Sequence, residues 1–228
     1  MGILYIVSTP IGNLKDITQR ALEVLKEVDL VLCEDTRLTK KLLDHYQIKT
    51  LTLSYHEHSD LKKADHICRL LREGKNLALV SDAGTPGISD PGSKLVQIVI
   101  ESLSDLAKVI ALPGPSALTA AASIASFRMD KFIFMGFPPA KKKRKKFFEE
   151  LIQSKYPVIF YESSHRILKT LEELKKIFQV SGCKFQVMVC RELTKRFETT
   201  YRGTIDVVLE KLKKDIIKGE FTIIVRKH

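Results

Sequence analysis

Five short apolar runs, each followed by a helical pattern, dictate what the first 120 residues can become. They lie at residues 3–7, 29–33, 51–53, 76–80 and 109–112. Their apolar residues are consecutive rather than alternating, as in strands covered on both faces. Strands separated by helices join in parallel. Between them, Asp16 with Gln19 reads as a capping box, and Ala21, Leu22, Leu25 and Val28 have helical spacing. Further helices are expected over 38–46, 60–72, 93–103 and on to 125. The expected fold is α/β with a mostly parallel sheet in residues 1–116.

In open parallel sheets the ligand crevice lies beyond the carboxyl ends of the strands. In this chain those ends carry the unusual loops. The most conspicuous, residues 80–92, packs three glycines and two prolines into thirteen positions. A plain strand-to-helix turn needs about two to six residues. Pro fixes backbone and Gly frees it, so a loop of this make-up suits close approach of backbone to a ligand. Ser8-Thr9-Pro10-Ile11-Gly12 and Pro113-Gly114-Pro115-Ser116 end the first and fifth strands in similar fashion. Glu34-Asp35-Thr36-Arg37 ends the second with three charges in four residues.

The pattern changes after residue 116. Strands are expected at 132–137, 158–161, 186–190, 199–203 and 221–225, the last two as antiparallel additions, with helices near 147–152, 166–178 and 205–214. This defines a second α/β domain, 117–228, with a mixed sheet. Charge divides with it. Residues 1–118 hold 14 Lys/Arg against 15 Asp/Glu, and residues 119–228 hold 24 against 12, so the whole net charge of +11 belongs to the second half. That half contains six consecutive cations, Lys141, Lys142, Lys143, Arg144, Lys145 and Lys146. A polyanionic partner met by the C-terminal half is the reading, against an ordinary solvated basic surface.

Several chemistries are excluded. No G-x-x-x-x-G-K-[ST] or G-x-G-x-x-G occurs, and the Pro/Gly loops carry no Lys to grip a phosphate. A ligand without phosphate fits better. No G-x-S-x-G elbow is present. His56 and His58 flank Glu57, a weak metal signal without a third ligand, and no metal is expected. Cys33, Cys68, Cys183 and Cys190 are scattered in apolar runs and read as buried free thiols of a reducing, cytoplasmic compartment. No window approaches the ~18 apolar residues of a membrane span, and the first eight residues do not form a signal peptide.

Six segments in order carry a more specific message: Leu4-Tyr5-Ile6-Val7-Ser8-Thr9-Pro10-Ile11-Gly12-Asn13-Leu14, Cys33-Glu34-Asp35-Thr36-Arg37, Ser54-Tyr55-His56-Glu57-His58, the loop from Ser81 to Gly92, Leu112-Pro113-Gly114-Pro115-Ser116-Ala117 and Cys190-Arg191-Glu192-Leu193-Thr194-Lys195. Together they resemble the bacterial small-subunit ribosomal RNA 2′-O-methyltransferase I family of the tetrapyrrole-methylase superfamily. The resemblance implies two α/β domains with S-adenosylmethionine in the cleft between them, and a homodimer. It implies methylation of a cytidine ribose 2′-hydroxyl in 16S rRNA of the small ribosomal subunit. It sets Pro10, Ile11, Gly12, Asp82, Ala83, Gly84, Thr85, Ser116 and Ala117 against the cofactor. Two departures stand out. Tyr161-Glu162-Ser163-Ser164-His165-Arg166 has Ser164 where the family usually has proline, and the small C-terminal extension of many members is not in this chain.

The acceptor hydroxyl needs help in losing its proton. Glu34, Asp35, Glu57 and Glu162 are the candidate bases, with His56 and Glu192 as further strand-end groups, and the residues alone do not choose among them. Arg37, Arg166, Arg191 and Lys195, with the six-residue run, are candidate RNA contacts. The first four read equally as ion-pair partners of the neighbouring acids, because arginine grips carboxylate and phosphate alike. Two other classes fit less well: a small-molecule tetrapyrrole methyltransferase, against the basic half, and a non-catalytic RNA-binding assembly protein, against the cofactor loops.

Overall fold

The structure is a computed structural model describing residues 1–56, 59 and 61–227. It divides into two compact units, Met1–Ser116 and Ala117–His228.

The first unit has β1 (Gly2–Val7), α1 (Gln19–Glu27), β2 (Leu30–Cys33), α2 (Thr36–His45), β3 (Thr52–Ser54), α3 (Leu61–Arg72), β4 (Leu77–Leu79), α4 (Gly92–Leu103) and β5 (Ala107–Leu112). The strands form one sheet in the order β3-β2-β4-β1-β5, every pair parallel. The uninterrupted apolar runs have the expected cause. Leu4, Ile6, Leu32, Leu77 and Leu79 face Ile67, Leu71, Leu95, Val99 and Leu103 of α3 and α4. Their neighbours Val7, Val31, Cys33 and Ala78 face Ala21 and Leu25 of α1 and Leu43 of α2. Each of these strands therefore contributes to two cores, one per face.

The strand order creates a switch point. The chain leaves β2 toward β3 on one side, and leaves the adjacent β4 toward β5 on the other. The connections after these adjacent strands diverge, and such a divergence opens a crevice at the carboxyl ends.

The second unit has α5 (Ala117–Ser123), β6 (Ile133–Phe134), α6 (Arg144–Gln153), β7 (Val158–Ser163), α7 (Ile167–Ser181), β8 (Phe185–Arg191), β9 (Thr199–Gly203), α8 (Ile205–Lys213) and β10 (Glu220–Lys227). Its sheet order is β6-β7-β10-β8-β9. Here β6 and β7 are parallel; the pairs of β10 with β7 and β8, and of β8 with β9, are antiparallel. A single large core joins Val158, Phe160, Val187, Val189, Phe221, Ile223 and Val225 to Phe148, Leu171, Leu174, Phe178, Val208 and Leu212 of α6, α7 and α8. Ile159, Met188, Cys190 and Ile224, which alternate with these along the strands, are buried too.

Local chemistry moved several boundaries. The cap of α1 is Thr18, not Asp16: its hydroxyl accepts the Ala21 N–H at 3.1 Å while Asp16 sits in a preceding 3-10 turn. Asp35 caps α2 and starts it at Thr36, earlier than apolar spacing suggests. β6 is two residues long rather than six, because only Ile133 and Phe134 pair with β7. Replacing Thr18 by Ala should cost about 1 kcal/mol in urea unfolding, and Asp16 by Ala distinctly less. Equal losses would return the cap to Asp16.

Candidate functional site

Three loops meet at the carboxyl end of the first sheet, tied by short polar side chains and backbone. Thr9 and Gly84 exchange both backbone bonds, N–H to O at 2.9 and 3.1 Å, an isolated antiparallel bridge between the loops after β1 and β4. Thr9 Oγ1 donates to the Ser81 carbonyl (3.2 Å), and Ser81 Oγ donates to the Gly84 carbonyl (3.2 Å). The β5 loop is drawn in by Ser8 Oγ, which donates to Leu112 O (3.2 Å), and by Thr85 Oγ1, which donates to Pro115 O (3.2 Å). The two hydroxyls are themselves 3.0 Å apart. The bridge ties the loop after β4, one of the two strands that flank the switch point, to the loop after β1.

Glycine is required where these loops touch. Gly84 has φ 84°, and a Cβ there would lie 3.4 Å from Ile11 Cγ2. A Cβ on Gly114 would come within 2.8 Å of Ser8 Cβ. Asp90, which sequence reasoning passed over, holds the far side of the long loop. Its carboxylate accepts the N–H of Gly87 (2.8 Å) and of Gly92 (2.7 Å) at the start of α4. The signal was available in Asp90-Pro91-Gly92, a capping residue just ahead of a helix.

The acids at this end are not alike. Asp35 is bound to Arg37 through side chain (2.7 Å) and backbone (2.8 Å), and these bonds pull its pKa down to about 2. Such a carboxylate is a weak base. Glu34 next to it is half-buried. Burial and the nearby charges of Asp82 and Asp90 push its carboxyl up to about 7. Asp82 is exposed and accepts the Asp35 N–H at 3.2 Å, joining the loops after β4 and β2. Of the remaining cofactor candidates, Ile11 is buried, Pro10, Thr85, Ser116 and Ala117 are half-buried, and Gly12 and Ala83 are exposed. His56 is described, and Glu57 and His58 lie outside the described residues. Among the described residues no group of His, Cys, Asp or Glu could hold a metal ion.

In the second unit, ion pairs account for several of the expected RNA contacts. Glu162 is buried and accepts from Arg166 (2.8 Å) and Thr170 Oγ1 (2.7 Å), with Arg144 at 3.9 Å. Arg144 itself turns inward from the basic run. It pairs with Glu173 (2.7 Å) and donates to Thr170 Oγ1 (2.6 Å) and the Pro139 carbonyl (3.1 Å). Arg191 is buried against Asp215 (3.2 Å) and the Lys218 carbonyl (3.0 Å). Lys195 bridges Glu192 and Glu220, both at 2.8 Å. Burial works to raise the Glu192 carboxyl, but Lys195 and the Glu220 N–H outweigh it and hold the group below its usual range. Glu162 and Glu192 thus act as anchors, Arg144 is absorbed as counterpart of the buried Glu162 and half-buried Glu173, and the buried Arg191 is absorbed by Asp215. Lys141, Lys142, Lys143, Lys145 and Lys146 stay exposed.

Residues 3–208 match the family model of tetrapyrrole (corrin/porphyrin) methylases. The chain belongs to the tetrapyrrole methylase family. Within it, this methylase stands with proteins named ribosomal RNA small subunit methyltransferase I, the group expected from the six segments. It is 44% identical over 226 residues to that of Synechocystis sp., spanning 99% of this chain and 79% of the relative. It is 46% identical to that of Escherichia coli O157:H7, spanning 100% and 78%, and 44% identical to that of Thermotoga maritima, spanning 98% of both. Among solved structures, a cobalt precorrin-4 methyltransferase matches with a TM-score of 0.70 at 19% identity, over 98% of this chain and 94% of that one. Uroporphyrin-III C-methyl transferase from Thermus thermophilus, complexed with S-adenyl homocysteine, matches with a TM-score of 0.65 at 16% identity, over 98% and 97%. At those identities the likeness carries the fold, which is the α/β class expected.

Removing Arg144 tests the buried network. Arg144→Ala strips Glu162 and Glu173 of a shared cation and should destabilise the protein by about 3–5 kcal/mol in urea unfolding. Lys145→Ala, on the exposed side of the same run, should change stability by less than about 0.5 kcal/mol.

Proposed function

We propose that this protein transfers a methyl group from S-adenosylmethionine to the ribose 2′-hydroxyl of a cytidine in 16S rRNA of the small ribosomal subunit, as a cytoplasmic homodimer. The observation that carries the reading is the match over nearly the whole chain, at 44% and 46% identity, to proteins named ribosomal RNA small subunit methyltransferase I. The names of the near-full-length relatives support the RNA substrate. No helix among the described residues is long and apolar enough to cross a membrane.

The residues fit the cofactor. Loops free of lysine and lined by Glu34, Asp82 and Asp90 attract a cation and repel a phosphate. Pro10, Ile11, Gly12, Asp82, Ala83, Gly84, Thr85, Ser116 and Ala117 would hold it, with Asp82 toward an ammonium or hydroxyl. When bound, S-adenosylmethionine supplies a methyl group already activated on a sulfonium. The chain's share is to align the acceptor, exclude water and take the proton. The acceptor hydroxyl would give up its proton to a base of this chain. Glu34 is the base we assign, since a group with pKa near the working pH is both ionised and willing to accept a proton. Asp35 and Glu162 are held too firmly by their cations. Glu57 remains a second candidate.

Exposed lysines 141, 142, 143, 145 and 146 supply the electrostatic hold on RNA. Neutralising Lys141, Lys142 and Lys145 together should weaken RNA binding. It should also flatten the salt dependence of binding by ~0.7 in log–log slope for each single-strand phosphate no longer neutralised. An unchanged slope would place the contact elsewhere.

The direct assay is incubation with tritiated S-adenosylmethionine and small subunits lacking the modification, followed by mapping of the labelled nucleotide. Label on a cytidine ribose is expected. Label confined to a tetrapyrrole, or no label, would overturn the proposal. In that assay the rate should climb with pH and level off above about 7. Glu34→Gln should lower it by ~10²–10⁴ and abolish the climb. The same residue has a stability signature of known sign. Because its folded pKa lies above its unfolded one, the fold favours the protonated form. That contribution is complete below the unfolded pKa and is lost as pH rises through about 7. Glu34→Gln should therefore gain thermal stability relative to the parent at pH above 7 and not in mild acid.

A further inference from the structure

We propose that Arg196 and Phe197, on the hairpin between β8 and β9, form a stacking platform for an unpaired RNA base. The proposal rests on the rRNA reading above and adds a subsite that phosphate contacts alone do not provide.

The hairpin loop spans residues 192–198, since Arg191 pairs directly with Thr199. It is braced from several sides. Glu192 N–H donates to Glu220 O (3.0 Å), and the Glu192 carboxylate accepts the Glu220 N–H (3.0 Å). Lys195 N–H donates to Glu192 O (3.0 Å), and Thr194 N–H donates to the Glu198 carboxylate (2.6 Å). Glu192 and Thr194 both adopt left-handed backbone, φ 53° and 65°, which non-glycine residues adopt only when their surroundings impose it. This path buries Leu193 and turns Phe197 outward, 65% exposed. Phe197 is the most exposed phenylalanine among the described residues, ahead of Phe137 at 50% and Phe132 at 37%.

The Arg196 guanidinium lies 5.5 Å from the Phe197 ring centroid. A cation on an aromatic ring, on a braced loop in a half that carries all the excess positive charge, suits a nucleobase attached to a polyanion. The same charge disfavours a second copy of the chain as the occupant. Topology adds a reason. β6 runs parallel to β7, and β7 and β8 both run antiparallel to β10, so β6, β7 and β8 point the same way. The loop bearing Lys141, Lys142 and Lys143, the turn bearing Arg166, and the Arg196–Phe197 loop therefore emerge from one end of this sheet. Bases within a duplex are already stacked, so the occupant is an unpaired base.

The test is fluorescence anisotropy with a labelled single-stranded RNA and with a duplex RNA of the same composition, using the full chain. Phe197→Ala should weaken single-strand binding by roughly 5- to 100-fold. It should leave the salt slope unchanged, because every phosphate keeps its cation, and leave duplex binding unaltered. Phe197→Trp should restore the affinity. Unchanged single-strand affinity in Phe197→Ala, or an equal loss on duplex, would overturn the platform while leaving the rRNA reading standing. A shift in oligomeric state on sedimentation would assign Phe197 to a second copy and also overturn it. Failure of the parent protein to bind either RNA would remove the rRNA reading, and the platform with it.

Discussion

The first unit depends on the paired backbone bonds between Thr9 and Gly84. A parallel sheet leaves its strand ends as separate loops, each free to find its own conformation. Two reciprocal backbone bonds remove that freedom for the loops after β1 and β4. The hydroxyls of Ser8, Thr9, Ser81 and Thr85 then carry the constraint to the loop after β5. The side chains involved are among the smallest with a hydrogen-bonding group. Larger ones would fill the space that three converging loops leave, and glycine at 84 and 114 serves the same end. The result is a rigid rim whose polar surface is mostly backbone, with carboxylates set behind it. Half-buried at this end, the Glu34 carboxyl feels the charges of Asp82 and Asp90.

The second unit solves a different problem. Its basic run would repel itself and fray as a helix start, because cations oppose the positive end of the helix dipole. One member of the run, Arg144, is folded back into a cage of Glu162, Glu173, Thr170 and the Pro139 carbonyl. This fixes the start of α6 and leaves the flanking lysines exposed. Arg191 and Lys195 do the same for the loop after β8, against Asp215, Glu192 and Glu220. The cations of this half thus divide into structural ones, spent on carboxylates, and exposed lysines. Net charge does not reveal that division, since a paired arginine and an exposed lysine count alike.

That distinction also marks what could be read from the residues. The five-strand parallel sheet was legible because burial on both faces leaves an unmistakable record in runs such as Leu77-Ala78-Leu79-Val80. The loops at the strand ends were legible as constrained backbone because glycine and proline announce it. Strand order was not legible, since parallel pairing leaves no local mark, and with it the switch point between β2 and β4 was hidden. Arg144 looked like its neighbours because inward orientation is set by a partner 29 residues away on α7. Asp35 and Glu34 are adjacent acids of one chemistry. Burial of Glu34 beside Asp82 and Asp90, and the grip of Arg37 on Asp35, separate a carboxyl near 7 from one near 2.

The separation of those two acids has a further consequence for how the loop works. Asp35 ties down its own helix and binds the Arg37 cation, while its backbone N–H reaches Asp82. It thereby keeps the loop after β2 against the loop after β4 without adding an uncompensated charge. Glu34 carries the uncompensated one. A bound cation at this end would stabilise the ionised form of Glu34 and lower its pKa; protonation of Glu34 would in turn weaken the hold on that cation. Binding of a cation at this end and ionisation of Glu34 are therefore linked.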